Sequence, residues 1–291
     1  MFEQLGLIGC GLMGGSFAMA MKRANLVKRV VGYSKSPSTT ARALQLGVID
    51  VEAPSALLAV SGADLVLLAV PVAATESTLK TVRHLISPDM LVMDVGSSKR
   101  DVVDAARRVL RNNMSGFVPC HPIAGSEVSG VDNADAGLYN GKRIVITPID
   151  RTSPAKVRQA EMLWRDLGCD VLTMTPETHD AAFAAVSHLP HMLAFALMNS
   201  ITSQPDGREY LSLAGPGFRD FSRIAASDPQ LWRDVLIANR EEIARQSELF
   251  ERALVQLRRA ISDGDGEELK RLINSASHAR ANWHLTRSMA H

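Results

Sequence analysis

The chain has little of what would point to secretion, metal binding or a charged partner. Its three cysteines, Cys10, Cys120 and Cys169, are too few and too scattered for a disulfide framework, and none stands in C-x-x-C spacing. They read as reduced, buried small hydrophobes, and no metal site is expected. Neither sign of charge prevails: 32 Lys plus Arg stand against 31 Asp plus Glu. No global field therefore gathers nucleic acid or an anionic membrane surface. No uninterrupted apolar run reaches membrane-spanning length, and the first strand pattern begins at once, without a basic segment and apolar signal core ahead of it. A cytoplasmic location is expected, with neither nucleic acid nor membrane as a partner. Internal repeats and low-complexity linkers are absent too.

What is present is a long alternation of apolar runs and amphipathic stretches. A length of 291 residues is generous for one core and suggests two domains. Strand patterns fall at 4–8, 29–33, 64–69, 91–94, 116–119 and 143–147 with helical patterns between them, the signature of parallel strands joined by crossover helices. After about Thr152 the pattern turns helical. Ser153-Pro154, Thr175-Pro176 and Asp228-Pro229 each offer an N-cap followed by a proline at the first helical position. One more strand, 170–174, is expected to extend the sheet. The expected fold is α/β: an N-terminal Rossmann-type, doubly wound, mainly parallel sheet over 1–175, then an all-helical substrate and dimerisation domain over 176–291.

The first strand runs directly into Gly9-Cys10-Gly11-Leu12-Met13-Gly14, glycines spaced G-x-G-x-x-G ahead of a helix at about 12–23. Gly9 permits the tight turn, Gly11 removes the side chain that would block a pyrophosphate, and Gly14 lets the helix pack closely on its strand. The helix N-terminus offers N–H groups and the positive end of its dipole to the anion. Leu12 and Met13 within the turn, Val70 and Pro71 after the third strand, and Gly96 after the fourth are expected to line the same dinucleotide crevice. At the tip of the second strand, where an acidic side chain normally binds the ribose 2′-hydroxyl, the chain reads Tyr33-Ser34-Lys35-Ser36. Two hydroxyls and a cation suit a 2′-phosphate, so NADP is favoured over NAD.

A helical pattern from 228 to about 261 places Leu236, Ile243, Phe250 and Leu257 seven residues apart, with Leu254 and Ile261 widening the stripe. That surface must be buried, either in the chain's own core or against a second subunit, and a homodimer through the C-terminal helices is expected.

Four further segments concentrate chemistry that a scaffold would not need. They are Asp94-Val95-Gly96-Ser97-Ser98-Lys99; His121-Pro122-Ile123-Ala124-Gly125-Ser126-Glu127-Val128-Ser129-Gly130; Ser187-His188-Leu189-Pro190-His191; and Gly215-Pro216-Gly217-Phe218-Arg219-Asp220-Phe221-Ser222-Arg223 followed by Ser227-Asp228-Pro229-Gln230-Leu231-Trp232-Arg233. The first two follow strands, where open parallel sheets hold their ligands. Pro190 removes a backbone donor inside an apolar helix and is expected to loosen it beside His188 and His191. In this combination and order the chain resembles the prephenate and arogenate dehydrogenases of tyrosine biosynthesis, over nearly its whole length.

The resemblance implies oxidative decarboxylation of a cyclohexadiene substrate, with hydride passing from the carbon that bears the 4-hydroxyl to a nicotinamide. It implies that His121 draws the proton from the ring hydroxyl and that Ser97 orients both. Arg223 would grip the ring carboxylate, and His191 would meet the side-chain end. Trp232 and Glu127 would line the pocket. His179, Asp180 and Ser187 stay as supporting neighbours without an assigned role. Two other classes share the dinucleotide turn. The β-hydroxyacid dehydrogenases carry a lysine on the central helix, and this helix, 176–201, has none. A non-catalytic NADP-binding sensor would need the glycines but not Ser97, His121, His191 and Arg223.

Overall fold

The computed structural model of the chain describes residues 1–125 and 128–283, so Ser126 and Glu127 lie outside the described residues. Contacts group the chain into two compact units, Met1–Arg240 and Glu241–His291. In the first unit six strands form one parallel sheet: β1 (Phe2–Ile8), β2 (Val27–Tyr33), β3 (Val51–Glu52), β4 (Leu65–Leu68), β5 (Leu91–Asp94) and β6 (Phe117–Val118). Their spatial order is β3-β2-β1-β4-β5-β6, the doubly wound arrangement in which the strand order reverses between β1 and β4. Apolar strands such as Leu65–Leu68 are buried throughout, as a sheet covered on both faces requires.

Register aligns the ends of three strands: Ile8 pairs with Leu68, and Leu68 with Asp94. The turns at Gly9, Ala69 and Val95 therefore leave the sheet side by side. Gly9 sits at φ +100°, and a Cβ there would lie 2.1 Å from the Ala69 carbonyl oxygen. A Cβ on Gly14 would lie 2.0 Å from the Gly9 oxygen, so the helix Leu12–Arg23 approaches its strand only because that position is glycine.

The remaining strands depart from expectation. Pro119 has no N–H to continue the ladder, and the chain leaves β6 after two residues. It re-enters as β7 (Cys120–Ile123), antiparallel to β8 (Arg143–Ile146), which pairs in parallel with β9 (Asp170–Thr173). The patterns at 143–147 and 170–174 thus build a second, three-stranded sheet rather than extending the first. Phe17 on the first helix meets Trp164 of the helix Pro154–Asp166 at 5.1 Å between ring centroids, and Tyr139 packs on Trp164 at 5.3 Å.

The proline-led helices begin where expected, at Pro154, Pro176 and Pro229. Thr175 and Asp228 cap theirs through side-chain bonds to Thr178 N and Leu231 N, whereas Ser153 makes no such bond. Ahead of Pro190 the helix loosens into a π-helical turn, Ala184–His188, before continuing as Leu189–Thr202. By length and composition the stretch Pro176–Thr202 could cross a membrane, yet it carries His179, Asp180 and His188 buried within protein.

The expected 228–261 helix is two helices, Pro229–Ala238 and Arg240–Ser262. The break falls at Asn239, whose buried amide donates to the Asp180 carbonyl at 2.8 Å and meets His188 Nδ1 at 3.0 Å. In the second unit Phe250, Leu254 and Ile261 remain 36%, 42% and 64% exposed on the single chain.

Gly14→Ala should be costly, because backbone rather than a flexible side chain blocks the new methyl. The expected loss is about 1–3 kcal/mol in urea unfolding, together with at least a tenfold weaker dinucleotide Kd. Wild-type values for both would show that the helix can move aside.

Candidate active site

The loops that leave β1, β4 and β5 converge on a cavity of about 350 Å³. It is lined by Gly11, Leu12, Met13, Gly14, Val70, Pro71 and Gly96, seven of the positions expected to hold a dinucleotide. Gly11 is the telling one: a Cβ built there meets nothing within 4 Å, so this backbone faces open space while Gly9 and Gly14 are tightly enclosed. The following helix has no acidic residue in its first turn and no side-chain cap to compete for its amides. This bare backbone suits a dinucleotide pyrophosphate.

Gly9 N–H donates to the Tyr33 carbonyl at 2.8 Å, which sets the tip of β2 against the glycine turn. There Ser34 Oγ accepts from Cys10 N–H at 2.8 Å, and Thr40 Oγ1 accepts from Ser34 N–H at 3.0 Å. Ser34 therefore braces the glycine turn. Ser36 caps the helix Pro37–Gln45 by its backbone geometry alone, with its hydroxyl 2.8 Å from that of Ser38. Gly9, Ser34, Lys35 and Ser36 do not line the cavity.

A second cavity of about 550 Å³ shares Ser97, His121 and Trp232 with the first and adds His191 and Arg223. The four expected catalytic positions, spread along the chain from Ser97 to Arg223, therefore face one space. Glu127 lies outside the described residues.

The floor beneath His121 is polar and closed. Lys99, fully buried, donates from Nζ to Asp94 Oδ2 and to the Cys120 carbonyl at 2.6 Å. Asp94 Oδ1 accepts from Cys120 N–H at 3.0 Å, and Oδ2 accepts from Gly96 N–H at 2.8 Å. The start of β7 is thereby tied to the end of β5, and His121 follows as the next residue. It lies inside a strand rather than in a free loop, which limits its backbone freedom.

Each histidine of the site has a different partner. His121 Nδ1 lies 2.8 Å from His179 Nε2, and His179 Nδ1 lies 2.7 Å from Asp180 Oδ1. His191 Nδ1 donates to the Ser187 carbonyl at 2.8 Å, and its ring stacks on Trp232 at 3.5 Å between centroids and 19° between planes. Burial pushes the His121 imidazolium well below its ordinary range, and His179, Lys99 and His188 nearby push it further down. His191 is likewise lowered by burial, against its bond to Ser187. His188 falls to about 4, burial outweighing the pull of the Asp180 carboxylate. All three are therefore neutral near pH 7.

His179, Asp180 and Asn239 are the parts that sequence reasoning left without a role. The signal was there for two of them: an adjacent His-Asp pair in an otherwise apolar helix has to find polar partners. Asn239 gave no signal, because an asparagine inside a helical pattern reads as surface.

The chain matches two family models in sequence order: the prephenate dehydrogenase nucleotide-binding domain over residues 17–173 and the prephenate dehydrogenase dimerization domain over 175–275. The chain belongs to the prephenate dehydrogenase family. It is 36% identical to the prephenate dehydrogenase of Bacillus subtilis over 94% of this chain and 74% of that one. The cyclohexadienyl dehydrogenase of Zymomonas mobilis is 32% identical over 96% of this chain and 95% of its own. Among solved structures, prephenate dehydrogenase from Aquifex aeolicus in complex with hydroxyphenyl propionate and NAD+ superposes with a TM-score of 0.89. Identity there is 36%, covering 97% of this chain and 98% of that one. Synechocystis arogenate dehydrogenase gives 0.81 at 29% identity, covering 97% and 100%. The chain is accordingly a nicotinamide-dependent oxidoreductase of tyrosine biosynthesis.

Protonation of the buried histidines should govern acid stability. His188 titrates near 4 when folded and near 6.5 when unfolded, so between those values the unfolded chain binds more protons. The His188 contribution, up to about 3 kcal/mol, should be level above pH 7 and be lost as pH drops from about 6.5 towards 4. Urea unfolding at stepped pH measures this, and a flat profile would mean that His188 is solvated.

Proposed function

We propose that this dehydrogenase oxidatively decarboxylates prephenate, or arogenate, with NADP favoured over NAD, at a site built by Ser97, His121, His191 and Arg223. The observation that carries the reading is the overlap of the two cavities at Ser97, His121 and Trp232, which sets the polar pocket directly beside the glycine turn. Gly9, Gly11, Leu12, Met13, Gly14, Val70, Pro71 and Gly96 form the dinucleotide cradle. Ser34, Lys35 and Ser36 receive the 2′-phosphate, in a turn that has no carboxylate to repel it. Residues 1–175 serve the dinucleotide, and 176–291 the substrate and dimerisation.

When bound, the nicotinamide accepts the hydride from C4 of the ring. The chain's residues do the rest. Neutral His121 takes the proton of the 4-hydroxyl, and Ser97, lining both cavities, holds hydroxyl and ring in register. Arg223 holds the ring carboxylate through paired N–H groups until its bond to C1 breaks. Those electrons pass into the ring, carbon dioxide leaves, and the proton on His121 returns to the phenolate oxygen. His191, its Nδ1–H spent on Ser187, presents Nε2 to the substrate's side chain, with Trp232 stacked behind it. Glu127 is proposed at the pocket's edge by resemblance alone.

Steady-state kinetics with both substrates and both cofactors tests this reading, following absorbance of the reduced nicotinamide. His121→Asn should lower kcat by about 10²- to 10⁴-fold with KM little changed, whereas Arg223→Ala should raise KM by about 10-fold or more. Higher kcat/KM with NADP, reversed in Ser34→Asp, is expected. A His121 variant as active as wild type would remove the proposed base, and tight cofactor binding without turnover of either substrate would favour the sensor reading.

A homodimer in the cytoplasm completes the proposal. The dimerization-domain match and the exposed Phe250, Leu254 and Ile261 support it. Light scattering should give the mass of two chains, and Leu254→Glu should shift the protein towards monomer. A wild-type monomer at micromolar concentration would refute it.

A further inference from the structure

Two fully buried ionisable groups, His179 and Asp180, have no part in the chemistry above, yet they stand directly behind the proposed base. We infer that His179 and Asp180 are positioning residues that lock the proton of His121 on Nδ1 and so leave Nε2 as the acceptor facing substrate. The inference rests on the reading of His121 as the base and deepens it.

The tautomer follows from counting donors, beginning at the carboxylate. Asp180 Oδ1 accepts from Lys99 N–H at 2.8 Å, and Oδ2 accepts from Arg100 N–H at 2.9 Å. Burial raises this carboxyl, but the bonds from His179 and from the two backbone amides outweigh it and hold it below its ordinary range. Asp180 is therefore a carboxylate, which only accepts, so the 2.7 Å contact with His179 Nδ1 requires a proton on that nitrogen. His179 is itself held below its ordinary range, burial prevailing over its bond to Asp180, with Lys99 adding to the effect. Being neutral, it has a bare Nε2. The 2.8 Å contact between that atom and His121 Nδ1 then requires the proton to sit on His121 Nδ1.

The opposite assignment fails on the same count. A proton on His179 Nε2 would make that ring an imidazolium with no exposure to solvent, beside buried Lys99. It would also leave His121 with its lone pair pointing inwards and an Nε2–H towards substrate, able to donate to the hydroxyl but not to take its proton. The ring planes of His121 and His179 meet at 64°, and Phe183 packs on both, at 4.8 and 4.5 Å between centroids. Once His121 has taken the hydroxyl proton on Nε2, its positive charge is shared along the Nδ1–H bond towards the Asp180 carboxylate. The relay thus stabilises the protonated state of His121. His179, Lys99 and His188 face the same imidazole and oppose that charge, so the support that reaches it on this side comes from the Asp180 carboxylate through the Nδ1–H bond.

The test is nitrogen NMR on full-length protein labelled with 15N-histidine, with His121 assigned by its loss in His121→Asn. A pyrrole-like Nδ1 and a pyridine-like Nε2 on His121 near pH 7 are expected, and the reverse pattern would overturn the inference whatever the activity. In parallel, His179→Leu should lower kcat about 10²-fold with KM for prephenate within about twofold. His179→Gln, whose amide oxygen can still accept from His121, should recover at least a tenth of wild-type kcat. Wild-type turnover in His179→Leu would also overturn it. Should the leucine variant fail to fold, the tautomer measurement on the wild type still decides. Loss of the base reading itself would show separately, as an active His121→Asn protein.

Discussion

A buried ion pair holds this site together. Lys99 and Asp94 lie within the protein at the end of β5, where two charges cost several kcal/mol each to desolvate unless every lone pair and N–H is used. Here they are. The ammonium reaches the Cys120 carbonyl, and the carboxylate takes the amides of Cys120 and Gly96. The backbone N–H of the same lysine goes on to Asp180. One residue thus pins the end of the parallel sheet, the first strand of the second sheet and the helix Pro176–Phe183. His121 and His179, one step along from Cys120 and Asp180, have no independent freedom.

That anchoring explains how a pocket full of imidazoles stays uncharged. His121, His188 and His191 are all depressed by burial, and each has its Nδ1 committed: to His179, to Asn239 and to the Ser187 carbonyl. A loosely held, hydrated set would titrate through neutrality and compete with the cationic nicotinamide for the substrate's negative charge. Arg223 and Lys142 line the same cavity as His121 and His191.

The glycine turn was fully legible because each glycine answers a local steric demand. Gly9 needs positive φ, Gly14 cannot carry a methyl, and Gly11 borders open space. The parallel strands 4–8, 64–69 and 91–94 were legible for a similar reason: strands buried on both faces are continuous apolar runs. What misled was the connectivity past β6. The run 116–123 holds enough apolar residues for one strand, and only the missing N–H of Pro119 and the antiparallel partner at 143–146 divide it between two sheets. The break at Asn239 was hidden in the same way, since its cause is a pair of partners fifty and more residues earlier in the chain.

By itself, the sequence determined the elements, the dinucleotide turn, the absence of a carboxylate at the tip of β2, and the set of residues able to do acid–base and carboxylate chemistry. These depend on backbone sterics, hydrophobic period and side-chain type, all local properties. Only the tertiary structure decided which histidine stands behind which, where each ring proton must reside, and that a lysine in a strand-following segment is a buried anchor rather than a surface charge. Those are matters of desolvation and hydrogen-bond pairing across the fold, and they have no meaning until distant segments are brought within about 3 Å of one another.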